Sequence, residues 1–207
     1  MKCLVLFHSK HGQTEKIARR IGEVMESKQV DVDVRPITAF DASFSVSSYD
    51  VVVIGAPIYT ARYHRQVSRF VVDSLGNLNK TVTAFFSVSL SSYGNQSQKL
   101  DAVRCFDEFL KKTGLSPMLE QHFAGALAYR KYDWFTRWMM KRIVGKSGGE
   151  TDTSKNYEYT DWEQVDQFAI DVWELASRNT EQSSTAKPST KELESKRWRG
   201  MPSQRNR

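Results

Sequence analysis

The sequence predicts an α/β domain built on a doubly wound parallel sheet, and three observations support this fold class. Apolar runs of strand length alternate along the chain with patterns of helical period. The runs at residues 3–7 and 51–55 contain no charged residue, as is typical of strands that helices cover on both faces. With 207 residues, 40% of them hydrophobic, the chain is long enough to form such a layered core.

The first half of the chain is predicted to form three strands and two helices. The predicted strands are residues 3–7, 30–35 and 51–55, and the second of them alternates valine with charged residues, so it is half exposed. Residues 13–27 predict the first helix, whereas residues 38–49 indicate a loop or a short helix. The apolar positions that give the two helices their period are Ile17, Ala18, Ile21, Val24, Val67, Phe70, Val71 and Leu75.

The second half is predicted to add two strands to the sheet. These are residues 81–86 and 119–128, and residues 87–98 are predicted to be a polar loop. Thr160 followed by Glu163 indicates a capping box at the start of the last helix. Five strands of this kind fit the order 2-1-3-4-5, which places a ligand at their carboxyl ends. The apolar positions of the two later helices are Leu100, Val103, Phe106, Phe109, Leu110, Val165, Phe168, Ala169, Val172 and Leu175.

The chain is predicted to form one domain over residues 1–178, with an aromatic and basic insert at about residues 129–160 and a disordered tail at residues 179–207. The net charge of +6 is concentrated in two places. Residues 129–146 carry six Lys/Arg and one Asp, and residues 180–207 carry seven Lys/Arg and three Glu. Such local patches indicate an anionic surface. No nucleic-acid motif accompanies them, so a membrane is the expected surface.

The composition also bears on the compartment. The chain contains no apolar run of membrane-spanning length, and it begins directly with a predicted strand, which argues against a cleavable signal. Cys3 and Cys105 lie in apolar patterns, so both are expected to be buried free thiols in a reducing cytoplasm.

The loop after the first strand, SKHGQT, has the composition of a phosphate site. A buried strand that turns directly into a helix gathers free backbone N–H groups at the positive end of the helix. Small hydroxylated residues and a glycine suit the monophosphate of FMN, and the loop is neither a Walker motif nor GxGxxG. An ordinary strand-to-helix turn is the alternative. The predicted phosphate-binding residues are Ser9, Lys10, His11, Gly12, Gln13 and Thr14.

Two further loops follow buried strands and are expected at the same edge. Tyr59 or Tyr63 could provide the flat wall that an isoalloxazine ring needs; the alternative is that they pack on a neighbouring loop. The backbone of residues 87–90 could meet the pyrimidine edge of the ring, and the glycines in residues 147–151 indicate another close approach, to the flavin or the substrate. The other predicted cofactor-binding residues are Pro57, Ile58, Tyr59, Ser87, Val88, Ser89, Leu90, Gly148, Gly149, Glu150 and Thr151.

The insert is predicted to contain a helix with Phe135, Trp138, Met139, Arg142 and Ile143 on one face. Tryptophan beside Lys/Arg is typical of interfacial membrane contact. The alternative is a helix packed on the sheet edge with solvated basic residues. The same two readings apply to the basic residues 196–199 of the tail. The predicted substrate or membrane contacts are Tyr129, Trp134, Arg137, Trp138, Lys141 and Arg142.

The order of these motifs resembles that of the menaquinone-dependent protoporphyrinogen oxidases of bacteria, which belong to the flavodoxin superfamily. The resemblance rests on SKHGQT, VVVIGAPIYTARYH, FFSVSL, FAGAL and SGGETDT followed by YTDWEQV, and it covers residues 1–176 including the insert. The chain departs from the pattern at His11, where flavodoxins usually have threonine before the glycine and close relatives are expected to have aspartate.

The resemblance implies bound FMN, oxidation of protoporphyrinogen IX to protoporphyrin IX in haem biosynthesis, and transfer of the electrons to menaquinone or another quinone. It also implies a peripheral location on the cytoplasmic side of the inner membrane, and it leaves a homodimer open. Because the flavin does the chemistry, no catalytic side chain and no metal site are predicted; His64 and His122 are candidate proton donors with structural roles as the alternative. The other functions considered are a soluble flavodoxin-type electron carrier, a pyridine-nucleotide–quinone reductase, and an interaction domain that has lost flavin.

Overall fold

The computed structural model describes residues 1–38, 45–146 and 150–185, without the side chains of Met139, Met140, Ile143, Lys146 and residues 182–185. Within these ranges, strands and helices alternate up to the fifth strand, except that the described residues between the second and third strands form the 3₁₀ turn Val46–Ser48, where the sequence predicts a loop or a short helix. Residues 39–44 of that segment lie outside the described part of the chain. The strands are β1 (Lys2–Phe7), β2 (Asp31–Pro36), β3 (Val51–Pro57), β4 (Val82–Ser89), β5 (Leu119–Ala124), β6 (Ala126–Leu127) and β7 (Tyr157–Glu158). The helices are α1 (Gln13–Ser27), α2 (Arg65–Leu78), α3 (Gln96–Thr113), α4 (Trp134–Lys146) and α5 (Trp162–Thr185).

The main sheet has the order β2-β1-β3-β4-β5 with all strands parallel, which confirms the predicted fold class. Side chains of β1 alternate between its two faces. Cys3, Val5 and Phe7 pack in the core beneath α1 and α5, whereas Leu4 and Leu6 pack in the core beneath α2 and α3. The doubly covered sheet therefore leaves the strand ends as the place for a site.

Both cysteines are free and buried, as predicted. Burial raises the pKa of the Cys3 thiol to about 12. No described helix combines the length and apolar character that a bilayer-crossing segment requires.

The prediction for the fourth strand and the following loop is partly wrong. Strand β4 continues through Ser87 to Ser89, so the loop before α3 is shorter than residues 87–98. These buried serines have hydroxyl partners: Ser87 Oγ lies 2.6 Å from His122 Nδ1, and Ser89 Oγ lies 2.9 Å from Ser92 Oγ. Because the hydroxyls are satisfied, polar residues can occupy a strand that is buried throughout.

The predicted apolar face of α3 is also partly wrong. Leu100 and Val103 are 54% and 37% exposed. The stripe that faces the core begins instead at the small side chains of Ala102 and Cys105, which have the same helical spacing. The buried residues of α3 are Ala102, Cys105, Phe106, Phe109 and Thr113.

The predicted fifth strand divides into two. Strand β5 ends at Ala124, and β6 pairs with β7 in a separate antiparallel ribbon. Gly125 lies at the division: its N–H donates to Ser89 O at 3.0 Å, and its carbonyl accepts from Tyr159 N at 3.0 Å. The insert therefore leaves and re-enters the domain at neighbouring points.

The last helix differs from its prediction at both ends. Asp161, not Thr160, caps it, because Asp161 Oδ1 accepts from the N–H groups of Glu163 and Gln164 at 3.1 and 3.2 Å. The helix continues to Thr185, so residues 179–185, predicted as tail, are helical. Residues 186–207 lie outside the described part of the chain, and their disorder stays a prediction.

Candidate functional site

The carboxyl ends of β1, β3 and β4 open into one cavity of about 900 Å³. The three loops singled out in the sequence converge there. Of the predicted cofactor-binding residues, those that line the cavity are Lys10, His11, Gln13, Thr14, Pro57, Ile58, Tyr59, Val88, Ser89 and Leu90.

The loop between β1 and α1 has the geometry of an anion site. Gly12 precedes the first residue of α1 and adopts a left-handed conformation, with φ 98°. Its N–H donates to Ser9 Oγ at 3.0 Å, so Ser9 shapes the loop from behind. No side chain caps the amino end of α1. The first-turn N–H groups are therefore available to a phosphate at the positive helix end.

The loop after β3 forms a strained turn at the cavity. Tyr59 and Arg62 exchange two backbone hydrogen bonds of 3.0 Å across Thr60 and Ala61. These two residues have φ of 47° and 57°, a conformation that is unfavourable for residues with a Cβ. Both line the cavity, and sequence reasoning missed them because threonine and alanine carry no signal for left-handed backbone.

Tyr59 is the aromatic residue at the cavity, whereas Tyr63 belongs to the core. The ring of Tyr63 packs on Phe85 and Phe109, at centroid distances of 5.6 and 4.6 Å. Burial, followed by the neighbouring Tyr132, raises the pKa of Tyr59 to about 12, so its phenol is neutral at physiological pH. A neutral flat side chain suits the face of a flavin ring.

The insert forms another side of the same site. Lys131 Nζ donates to the carbonyl of His11 at 3.1 Å. The His11 ring lies edge-on to Tyr132 at 4.8 Å and to Tyr59 at 5.8 Å. Burial lowers the pKa of His11, the positive charges of Lys10 and Lys131 lower it further, and the negative charge of Asp133 opposes the shift. Tyr132 and Thr136 line the cavity, and no local pattern in the sequence distinguished them.

Two more contacts attach the C-terminal end of the insert to α1. Lys16 pairs with Glu158 at 2.8 Å, and Gln13 Nε2 donates to Thr160 Oγ1 at 2.8 Å. Thr160 Oγ1 in turn donates to Ala124 O at 2.7 Å, which is why it is not free to cap α5. The insert thus returns to the edge of the sheet that holds the phosphate loop.

Some predicted site residues lie elsewhere. Ser87 is fully buried against His122, and the carbonyl of Glu150 accepts from Tyr129 Oη at 2.8 Å. Glu150 Oε2 accepts from Tyr159 Oη. Neither Ser87 nor Glu150 lines the cavity, and the same is true of Thr151. Gly148 and Gly149 lie outside the described residues.

The two candidate proton donors have structural partners. His64 stacks on His8 at 4.3 Å and caps α2, with Nδ1 accepting from Gln66 N at 3.4 Å. Burial lowers the pKa of His122, with Asp107 opposing the shift. Neither histidine lines the cavity, which leaves the structural alternative in place for both.

The six predicted membrane or substrate residues divide into two groups. Tyr129 is fully buried, and the Arg137 guanidinium donates to the carbonyls of Tyr129 and Tyr132 at 2.9 and 3.0 Å, so both build the insert itself. The other four are exposed, and Arg142 lies over the ring of Trp138 at 5.7 Å. The exposed residues are Trp134, Trp138, Lys141 and Arg142.

Comparison with known proteins agrees with this arrangement. A family profile described as a flavodoxin domain matches residues 4–154. The chain is 36% identical over 180 residues to the protoporphyrinogen IX dehydrogenase [quinone] of Escherichia coli K12, covering 87% of this chain and 99% of that protein. The chain belongs to the protoporphyrinogen IX dehydrogenase family. It is therefore an oxidoreductase with a flavodoxin domain, as the sequence predicts.

A second member of the protoporphyrinogen IX dehydrogenase family, from Leishmania major, is 32% identical over 171 residues, covering 82% of this chain and 74% of that protein. Solved structures show the fold. A flavodoxin from the domain Archaea superposes with a TM-score of 0.52 at 18% identity, covering 86% of this chain and 99% of that one. Oxidised flavodoxin 2 from Bacillus cereus gives 0.52 at 20% identity, covering 84% and 99%.

A flavodoxin domain implies FMN, and the residues of this chain fit that cofactor. The uncapped helix start beside Gly12 suits a phosphate, and the cavity continues past Tyr59 to the end of β4. A single phosphate loop of this kind has room for a mononucleotide and lacks the GxGxxG needed for a dinucleotide. His11 does not block the loop, because its ring is held against Tyr59 and Tyr132.

Proposed function

We propose that this chain oxidises protoporphyrinogen IX to protoporphyrin IX, with FMN as its redox cofactor, and delivers the electrons to a membrane quinone such as menaquinone in haem biosynthesis. One observation carries the proposal. The likeness to the Escherichia coli enzyme covers 87% of this chain and therefore includes the insert, which contacts the phosphate loop through Lys131. A soluble electron carrier does not need such an element.

The contribution of the protein is to bind, orient and shield. FMN, when bound, supplies the two-electron redox chemistry, so removal of six electrons from the substrate takes three rounds. The α1 amino end and its loop would hold the phosphate, and Tyr59 would face the ring as a neutral side chain. Tyr132 would reduce the access of water from the insert side, since it lies 4.8 Å from His11 at the rim.

Anaerobic spectroscopy of the purified full chain tests the reaction. Flavin bound to the protein is expected to bleach when protoporphyrinogen IX is added and to recover its colour when a menaquinone analogue follows. Bleaching without recovery by quinones, but with recovery by a one-electron acceptor protein, would instead support the electron-carrier function. Protein that neither contains nor takes up FMN would overturn both.

We also propose that the enzyme docks on the cytoplasmic face of the inner membrane through α4. Three large side chains of this helix are exposed to an unusual extent: Trp134 by 80%, Phe135 by 54% and Trp138 by 55%. Exposed Lys141 and Arg142 accompany them, and each basic residue near an anionic surface adds about 1 kcal/mol of attraction. Indole rings next to cations suit the headgroup layer of a bilayer. Docking would bring the cavity next to a quinone pool.

Vesicle sedimentation tests the docking proposal. The double variant Trp134→Ala/Trp138→Ala is expected to lose binding to vesicles that contain phosphatidylglycerol while it retains FMN. The matched control is Val72→Ala/Leu100→Ala, which removes side chains of 52% and 54% exposure outside α4. Equal binding by the two double variants would contradict the membrane role of α4.

A further inference from the structure

The side chain of Lys131 extends from a firmly anchored part of the insert. Lys131 is the last residue of the 3₁₀ turn Tyr129–Lys131. The turn is fixed by the buried ring of Tyr129, by the bond from Lys131 N to Ala128 O at 2.8 Å, and by the bond from Arg130 N to Asn156 Oδ1 at 3.0 Å. The position from which the side chain starts is therefore determined by the insert.

The ammonium group of Lys131 lies on the phosphate loop. It donates to the His11 carbonyl at 3.1 Å, and it would be 3.1 Å from a Cβ placed on Gly12. Gly12 is the residue before the first turn of α1. The charge therefore sits beside the uncapped N–H groups, although Lys131 is 120 residues away from His11 in the sequence.

The charge of Lys131 is not neutralised by a protein anion. Among the described residues no carboxylate lies within ion-pair distance of Nζ. The single hydrogen bond to a carbonyl uses one of the three donors that an ammonium group carries. Two donors and a full positive charge are left at a loop whose expected ligand is a phosphate.

We propose that Lys131 is a phosphate-binding residue for FMN, supplied by the insert rather than by the flavodoxin-type loop. The site then combines backbone N–H groups from α1 with one point charge from a distant segment. A further consequence is coupling. If the phosphate attracts Lys131, FMN binding stabilises the docked insert, and a loosened insert weakens FMN by the same free energy. The proposal requires FMN as the cofactor but does not depend on the identity of the substrate.

Flavin binding to the apo form of the full chain tests the proposal. The dissociation constants of FMN and riboflavin are measured by fluorescence quenching, because riboflavin has the same ring without the phosphate. Lys131→Met keeps most of the aliphatic length and removes the charge. We expect it to weaken FMN about tenfold, as for one charge-assisted hydrogen bond, and to leave riboflavin within about twofold. Lys131→Arg should restore FMN binding, and the salt dependence of FMN binding should decrease in Lys131→Met.

The matched control is Arg130→Met, which removes an exposed charge one residue away in the same turn. It should leave the affinity for FMN within about twofold. Three results would overturn the proposal: an unchanged FMN affinity in Lys131→Met, equal weakening of FMN and riboflavin, or an equal loss in Arg130→Met.

Hydrogen exchange gives a readout of the coupling, because FMN should protect the amides of residues 126–138 in the unaltered chain and protect them less in Lys131→Met. An equal protection in both would contradict the coupling. None of these measurements involves the porphyrin substrate, so failure here and failure of the proposed reaction are distinguishable.

Discussion

The sheet and helix α4 of the insert differ in the exposure of their aromatic side chains. In the sheet, Phe85, Phe86 and Phe123 are at most 1% exposed, and their rings pack on one another or on helix residues. In α4 of the insert, Trp134 and Phe135 are 80% and 54% exposed, and the ring of Phe135 lies near those of Trp134 and Trp138. The two regions are joined at the phosphate loop, where His11 meets Tyr132.

This difference separates two uses of apolar surface. Burial of a phenylalanine in the core stabilises the folded chain directly. An exposed tryptophan contributes little to folding, so its apolar surface is available to another partner. The insert is held by hydrogen bonds and by its small cluster around Tyr129, not by the aromatic face of α4. Variants in the two regions should therefore affect different observables.

The largest effect is expected in the sheet. The ring of Phe86 occupies the space beside Gly55 and packs on Phe123 at 5.8 Å, so Phe86→Ala leaves a cavity in the core beneath α1 and α5. Its free energy of unfolding should fall by about 3–5 kcal/mol in guanidinium titrations. Phe135→Ala, in the exposed face of α4, should change it by less than about 0.5 kcal/mol. Similar losses in both variants would mean that the two regions do not differ as described.

A smaller effect is expected where the two regions meet. Gly12→Ala forces a Cβ into a left-handed conformation and against Lys131 Nζ, and should lower the free energy of unfolding by about 1–2 kcal/mol together with FMN affinity. Gly76→Ala is the control, because nothing lies within 4 Å of its new Cβ and it lies within α2. That variant should be stabilised by about 1 kcal/mol. If thermal or chemical denaturation gave the two variants the same change in the free energy of unfolding, the strain assigned to position 12 would be refuted.

Arg137 distinguishes a structural insert residue from a membrane contact. Arg137→Met removes two hydrogen bonds to carbonyls and should lower the local stability of the insert by about 1 kcal/mol. Hydrogen exchange should accelerate in residues 126–138 and stay constant in β1 and β3. In Arg142→Met, whose guanidinium lies over Trp138, the exchange pattern should stay constant and binding to anionic vesicles should weaken. The reverse assignment of the two effects would contradict the structure.

The smallest effect concerns the protonation of His11. Burial, Lys10 and Lys131 lower its pKa more than Asp133 raises it, so the fold favours the neutral imidazole. The associated stability is present at pH values above the ordinary histidine pKa and is lost as the pH falls below it. Lys131→Met should move the His11 pKa back toward its ordinary value in a titration followed by NMR, whereas Arg130→Met should leave it unchanged. A His11 pKa that is insensitive to Lys131 would place the two groups further apart than the structure does.

Local patterns in the sequence were sufficient to predict most of the sheet and the bounds of α1. The helix begins and ends as predicted because Ile17, Ala18 and Ile21 all face the core and Gly12 sets its start. The same reasoning failed at Ser87, because a serine indicates a loop unless its hydrogen-bond partner is known. The partner here, His122, lies 35 residues away in the sequence. It also failed at Thr160, whose hydroxyl bonds to β5 and leaves the cap to Asp161.

For the site, the sequence was informative about loops and uninformative about contacts between distant segments. Three loops at three strand ends could be assigned from composition, and the cavity joins them. Lys131 and Tyr132 escaped notice because their role depends on the insert lying against His11. Thr60 and Ala61 were not predicted because their residue types give no indication of a strained backbone. The general lesson is that topology places loops, whereas packing places side chains.

The division at Gly125 has a consequence for protein engineering. Because Gly125 O accepts a hydrogen bond from Tyr159 N, the two ends of the insert are already adjacent when the main sheet is complete. A short reverse turn could replace residues 126–158 without moving a strand of that sheet. The same junction could receive a different segment of similar end-to-end spacing. The insert is in this respect an exchangeable segment, and the surface that it offers to partners could be altered without redesigning the core.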